Sequence, residues 1–106
     1  MRSDLEEALA LQIKLAGLPE PEREYRFCPD RKWRADLAWP KQMVIVECQG
    51  GLWVGGKYVT GMGQEKMCEK YSVAASLGFR VLPISRKMIQ SGLALRLLEQ
   101  ALRDIP

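Results

Sequence analysis

The feature that most constrains this chain is a pair of carboxylates set inside apolar, strand-forming runs. Asp36 lies in Arg34-Ala-Asp36-Leu-Ala-Trp39, and Glu47 lies in Val44-Ile-Val-Glu47-Cys-Gln49-Gly-Gly. An ionised carboxylate in such a run is costly unless something positive meets it. Side chains alternate faces along a strand, so parity decides whether the two acids can meet. A two-residue turn at Pro40-Lys41 sets Trp39 against Gln42 and Asp36 against Ile45, gathering Asp36, Met43, Ile45, Glu47 and Gln49 on one face. Glu47 is then the diagonal neighbour of Asp36, with Cβ atoms about 7 Å apart. One ion with oxygen ligands at ~2.1 Å bridges two carboxylates at that separation. A three-residue turn would send Asp36 to the other face. The expected ligands of a divalent metal are Asp36, Glu47 and the backbone carbonyl of Cys48. Gln49, one pleat beyond Glu47, can orient a water or a phosphate. The competing reading puts both acids at strand ends, in ion pairs with Arg34 or Lys66.

Histidine is absent from all 106 residues. That removes Ser-His triads, Cys-His nucleophiles and histidine-metal nucleases together. Any acid-base or metal chemistry falls to carboxylates, Lys, Tyr or an activated water. Cys28, Cys48 and Cys68 form no C-x-x-C pair, so they are read as packing residues, neither a disulfide framework nor a zinc site. The length suits one domain, residues 1–106, and a 47% hydrophobic share supports a core that dimerisation could reinforce. No apolar run approaches a membrane span, and the acidic start lacks the pattern of a signal peptide, so a cytoplasmic location is expected. The net charge of +3 is a mild excess. From Arg23 to Lys41 the bases Arg23, Arg26, Arg31, Lys32, Arg34 and Lys41 outnumber the acids Glu24, Asp30 and Asp36. Such a stretch beside a carboxylate cluster suits a phosphate backbone, although a plain solvated surface has the same composition.

Apolar spacing predicts a helix over Ser3–Ala16, with Leu5, Leu9 and Ile13 inward, a Ser3/Glu6 capping box and Gly17 as its stop. Strands are expected at Glu24–Cys28, Trp33–Trp39, Gln42–Gln49 and Phe79–Ile84, with a loop or irregular hairpin over Leu52–Gly63. A second helix should run from Gln64 to Leu77, turning Met67, Tyr71, Ala74, Ala75 and Cys68 inward. A third should span Ser85–Arg103 on a stripe of Leu93, Leu97, Leu98, Ala101 and Leu102, with Gly92 a candidate interruption. The order α-β-β-β-α-β-α implies an α/β fold, a mixed four-stranded sheet flanked by helices. Trp33 and Trp39 are expected on the face opposite Asp36. Trp53 suits either base stacking or a dimer contact.

At these residues the chain resembles the PD-(D/E)XK nuclease superfamily, with its restriction-endonuclease-like core. It looks most similar to small VRR-NUC and Holliday-junction-resolvase-like endonucleases of bacteria and phages. The resemblance runs through Glu6 in Leu-Glu-Glu-Ala, Arg34-Ala-Asp36-Leu-Ala-Trp, Val46-Glu47-Cys-Gln49-Gly-Gly, and Glu69-Lys70-Tyr71 ahead of Gly78-Phe-Arg-Val-Leu. It implies a catalytic set of Glu6, Asp36, Glu47 and Gln49. Glu6 also sits where a capping box wants an acid. Gln49 occupies the position of the motif lysine, a departure that makes Lys70, with Lys66 one turn before it, the cationic helper; a plain helix-surface role competes for both.

The implied function is hydrolysis of DNA phosphodiester bonds with Mg2+ or Mn2+, on branched or duplex DNA, by a homodimer in the cytoplasm of a bacterial cell or its phage. Arg26, Arg31, Lys32, Arg34, Lys57 and Lys66 are the expected backbone contacts, and the glycine-rich 55–63 segment is expected to close over the duplex. The alternative is a non-catalytic nucleic-acid-binding module that retains the fold, with a nuclease-like toxin or RNA-processing enzyme as a third reading.

Overall fold

The computed structural model describes residues 4–49, 53–54, 57–58 and 62–103, with side-chain surroundings for 4–49 and 65–103. Helix α1 covers Asp4–Leu15, with acids Asp4, Glu6 and Glu7 in its first turn and Lys14 in its last, the distribution the helix dipole favours. It ends in a Schellman motif: Leu18 N–H reaches the Ile13 carbonyl at 3.2 Å and Gly17 N–H that of Lys14 at 3.1 Å. Gly17 takes a φ of +74°, which a side chain would resist.

Strands β1 (Glu22–Tyr25), β2 (Ala35–Trp39) and β3 (Val44–Gln49) form an antiparallel meander. A short antiparallel hairpin follows, β4 (Trp53–Val54) with β5 (Lys57–Tyr58). Helix α2 (Met62–Ser76) then crosses to β6 (Arg80–Ser85), which pairs parallel to β3 and completes the sheet order β1-β2-β3-β6. Helices α3 (Arg86–Ser91) and α4 (Leu93–Ala101) end the chain. The expected mixed four-stranded sheet flanked by helices is therefore present.

Two apolar clusters cover the sheet. On one side Leu5, Leu9 and Ile13 of α1 meet Leu37, Trp39, Val44 and Val46, together with Ile89, Ala94, Leu98, Ala101 and Leu102 from the C-terminal helices. On the other, Ala38 and Ile45 pack with Ala74 of α2 and with Phe27, Cys28 and Ala35. Alternation is regular along β3, so Glu47 and Gln49 leave the sheet on the α2 side, whereas in β2 Leu37 and Trp39 join the α1 cluster and both Ala35 and Ala38 the other, so the alternation breaks at Asp36.

Several expectations are corrected. The β2–β3 connection is longer than a two-residue turn. Pro40–Gln42 form a 3-10 turn, Met43 closes it at φ +58°, and Trp39 pairs with Val44 rather than Gln42. Four intervening residues keep the parity of the pairing and shift its register by two, so that Ala38 pairs with Ile45 and Leu37 with Val46, where the ladder ends before Asp36. Strand β1 starts two residues and ends three residues earlier than expected, because Phe27 and Cys28 turn into the core ahead of the turn that follows. Trp33 belongs to the α2-side cluster, stacked on Phe27 at a centroid distance of 6.3 Å, and does not share the face of Trp39 as expected. Trp39 is on its expected face, its indole N–H donating to the Pro19 carbonyl at 2.7 Å.

In α2, Val73 packs inward, whereas Ala75 and Cys68 are exposed. The C-terminal helix breaks at Gly92 (φ +85°), and that rotation leaves Leu93 outside its expected stripe while Ala94 is fully buried. Ser3 and its proposed cap lie outside the described residues, as does most of the glycine-rich segment expected to close over DNA.

Candidate active site

One end of the sheet collects the start of α1, the end of β1, the start of β2 and the end of β3. Asp36 and Glu47 each adjoin the last β2–β3 pair there, Leu37 with Val46. Asp36 is held by a backbone donor: the Cys48 N–H reaches its Oδ2 at 2.7 Å. Oxygen atoms of Glu6, Glu24 and Asp36 lie within 4.8 Å of one another, three carboxylates from three separate elements. Glu6 is 2% exposed, an unusual place for an acid in the first turn of a helix.

Arg23 accounts for part of that burial. Its guanidinium donates to Glu6 Oε2 from Nη2 at 2.6 Å and from Nε at 3.1 Å, and to Glu7 Oε1 at 2.6 Å. Burial still pushes the Glu6 carboxyl above its ordinary value; the Arg23 hydrogen bond opposes the shift and the Asp36 charge adds to it. Glu24 enters the group through an unusual backbone. The β1–β2 register sets it opposite Asp36, and it takes a φ of +51° inside a strand. For a residue with a side chain that conformation costs about 1 kcal/mol.

Glu47 is held by a different partner. Its Oε1 forms an ion pair with Lys70 Nζ from α2, and the same ammonium donates to the Arg34 carbonyl at 2.7 Å. Burial raises the Glu47 carboxyl, the Lys70 pair lowers it, and the charges of Asp36 and Glu24 raise it again. Gln49 is engaged by the next helix residue, its Nε2 donating to the Tyr71 hydroxyl. Burial and the nearby Glu47 and Asp36 charges keep that phenol protonated well above its usual range. The Cys48 side chain turns to the α1 side, where burial first, then Asp36, Glu6 and Glu47, push its thiol up to about 12.

The structure thus brings Glu6, Asp36, Glu47, Gln49 and Lys70 to one sheet end but splits them into two groups. Asp36 joins Glu6 and Glu24, while Glu47 and Gln49 are taken by Lys70 and Tyr71 of α2. Sequence reasoning missed three of the participants. In the sequence Arg23 is only one base in a run, Glu24 has no distinguishing neighbour, and the helical spacing of Tyr71 suits the core. The one signal in the sequence was the adjacency of Lys70 and Tyr71, which α2 fans toward residues 47 and 49 of one strand face.

The basic residues divide as well. Arg26 is spent on its own turn, donating to the Arg31 carbonyl at 2.8 Å and the Pro29 carbonyl at 3.0 Å. Arg31 lies 4.6 Å over the Trp33 ring and pairs with Glu69 at 2.9 Å. Lys32, Arg34 and Lys66 are exposed. Lys57 lies in β5, and its side chain is outside the described ones.

No protein-family model and no curated protein matches this chain. Among solved structures it is similar to the "Homing Endonuclease I-Bth0305I Catalytic Domain", with a TM-score of 0.65 at 16% identity, covering 93% of this chain and 92% of that one. At that identity the likeness speaks for the fold, which is the fold of an endonuclease catalytic domain. No helix among the described residues is long and apolar enough to cross a membrane.

Proposed function

We propose that this chain is a metal-dependent endonuclease that hydrolyses DNA phosphodiester bonds, with its reactive centre at the Asp36–Glu47 end of the sheet. The observation that carries the reading is the convergence of Glu6, Glu24 and Asp36 within 4.8 Å beside the Glu47–Lys70 pair. Carboxylates that close repel one another and raise their own proton affinities unless a cation joins them. The donor set is all hard oxygen, which fits Mg2+ or Mn2+ and suits zinc or copper poorly.

Asp36, Glu6 and Glu24 would hold the ion, with Glu47 completing the set from across the β2–β3 pair and the Cys48 carbonyl alongside. A divalent ion in that position supplies the Lewis acidity that lowers the pKa of a water and polarises a phosphoryl oxygen. Water adds to phosphorus as the ester P–O bond breaks, leaving a phosphate monoester on one strand end and a hydroxyl on the other. Lys70 brings to the cleft the positive charge that Gln49 lacks, reaching Glu47 from the helix instead of from the strand. The exposed Lys32, Arg34 and Lys66 flank this end and suit a phosphate backbone.

DNA as substrate rests on the resemblance and on the solved neighbour being a homing endonuclease. A preference for branched DNA, and a homodimer presenting two such centres, rest on the resemblance alone. A second reading, a binding module without catalysis, draws on Gln49 in the lysine position and on Lys70 being engaged by Glu47.

Cleavage of a panel of duplex, flapped and four-way DNA with Mg2+ or Mn2+ separates the two. The nuclease reading expects wild-type cutting that falls by about 100-fold or more in Asp36→Ala and Glu47→Ala. Cutting at equal rates in wild type and variants would mark a contaminant and leave the binding module. Competition with RNA of the same sequence decides the substrate class.

A further inference from the structure

The nuclease reading leaves Tyr71 without a task, yet this residue is the hydrogen-bond partner of Gln49. Three observations meet there. Tyr71 is half-buried on the α2 face that covers the active-site end of β3, one residue after Lys70. Its hydroxyl lies close enough to Glu47 and Asp36 for both charges to act on it. It accepts the Gln49 Nε2 hydrogen, while the neighbouring Lys70 takes Glu47, so consecutive helix residues grip positions 47 and 49 of one strand face.

We infer that Tyr71 is a positioning residue: it holds the Gln49 amide with Nε2 toward α2, so that the carbonyl Oε1 faces the cleft as a fixed acceptor for the attacking water. The inference rests on the nuclease reading and extends it to one further side chain.

The physical argument is one of orientation. A primary amide carries a donor and an acceptor at nearly equal reach, and an unrestrained Gln presents either to the cleft. A lysine in that position would have only donors and no such ambiguity. A phenol hydroxyl can donate or accept, and with its proton drawn toward the nearby Glu47 and Asp36 charges its oxygen is left to accept from Nε2, which removes half of the rotational choices. It leaves an acceptor where a water hydrogen needs one, and it adds no charge beside the carboxylates. The phenol keeps its own proton, which is free to be donated onward to an anionic oxygen. Effects of this kind act on the rate once substrate is bound and leave binding alone.

The test is single-turnover cleavage by the full chain with Mn2+, measured on wild type, Tyr71→Phe, Gln49→Ala and the double variant. DNA affinity, Mn2+ affinity and melting temperature are recorded on the same preparations. Tyr71→Phe removes only the hydroxyl. The cleavage rate is expected to fall by about 10-fold with DNA and Mn2+ affinities unchanged. The double variant is expected to cut no more slowly than Gln49→Ala, because without the amide there is nothing for the phenol to hold.

The positioning role is overturned if Tyr71→Phe cuts within about twofold of wild type, or if the two losses multiply in the double variant. It is also overturned if the loss tracks a lowered melting temperature or weakened DNA binding, which would mark packing. An inactive wild type overturns the nuclease reading and the role of Tyr71 with it, whereas an active wild type with an unaffected Tyr71→Phe removes the inference alone.

Discussion

At the scale of single residues, the site is a contest between burial and pairing. Glu47 is the clearest case. Burial raises its proton affinity, Lys70 opposes that, and Asp36 and Glu24 add to it, with the balance lying above the ordinary value of 4.5. A folded-state pKa raised above the unfolded one means that the folded chain holds its proton more tightly, so the group costs stability once ionised. That cost is absent below the unfolded value and grows to its full size as pH rises through the folded one. Glu47→Gln, melted without metal, is therefore expected to exceed wild type in stability at mildly alkaline pH. The difference should shrink toward zero as pH approaches 4.5. A difference independent of pH across that window would show that the variant acts through packing. The presence of Asp36 and Glu47 in apolar runs told of a charged site from sequence alone, because an unpaired carboxylate in a strand interior is too costly to keep. The partners did not show. Arg23–Glu6, Glu24 at φ +51° and Tyr71–Gln49 all depend on where separate elements end, which no local pattern encodes.

At the scale of elements, the turn between β1 and β2 decides which cations remain open to a polyanion. Cys28 to Arg31 is closed by the Arg31 N–H on the Cys28 carbonyl at 3.2 Å, and Arg26 adds two further bonds to the same turn. Arg31 is held between Trp33 and Glu69. The guanidiniums that stand out in the sequence are thus fixing the turn, while Lys32 and Arg34, which follow it, are exposed. Lys32→Gln and Arg34→Gln are each expected to weaken DNA binding and to reduce the slope of log affinity against log salt by about 1. Arg26→Gln should lower the melting temperature and leave that slope unchanged. Equal slopes in all three variants, read from fluorescence anisotropy across a salt series, would contradict this division. The β2–β3 connection shows a related limit of sequence reading. Pro40-Lys41 looked like a complete turn, whereas Met43 at φ +58° lengthens it to four residues. The even count keeps the parity of the pairing, whereas the break in alternation at Asp36, between Ala35 and Leu37, has no sequence signal.

At the scale of the molecule, the two helical layers come together at one sheet end. The layer of α1, α3 and α4 contributes Glu6, the layer of α2 contributes Lys70 and Tyr71, and the sheet contributes Glu24, Asp36, Glu47 and Gln49. The parallel pairing of β3 with β6, made across α2, is what brings the second layer over the site. That topology was legible from the alternation of strand and helix patterns, and the likeness to an endonuclease catalytic domain at a TM-score of 0.65 agrees with it. The break at Gly92 was legible only as an interruption; the rotation it imposes decided that Ala94 and not Leu93 enters the core. The nuclease reading depends above all on whether the gathered carboxylates hold a divalent ion through Asp36. Calorimetric titration of Mn2+ into the wild type and into Asp36→Asn measures this without reference to any substrate. Saturable binding by the wild type is predicted, with affinity lower by about 100-fold or more in the variant. Equal binding by the two proteins, or no binding by the wild type, would contradict it.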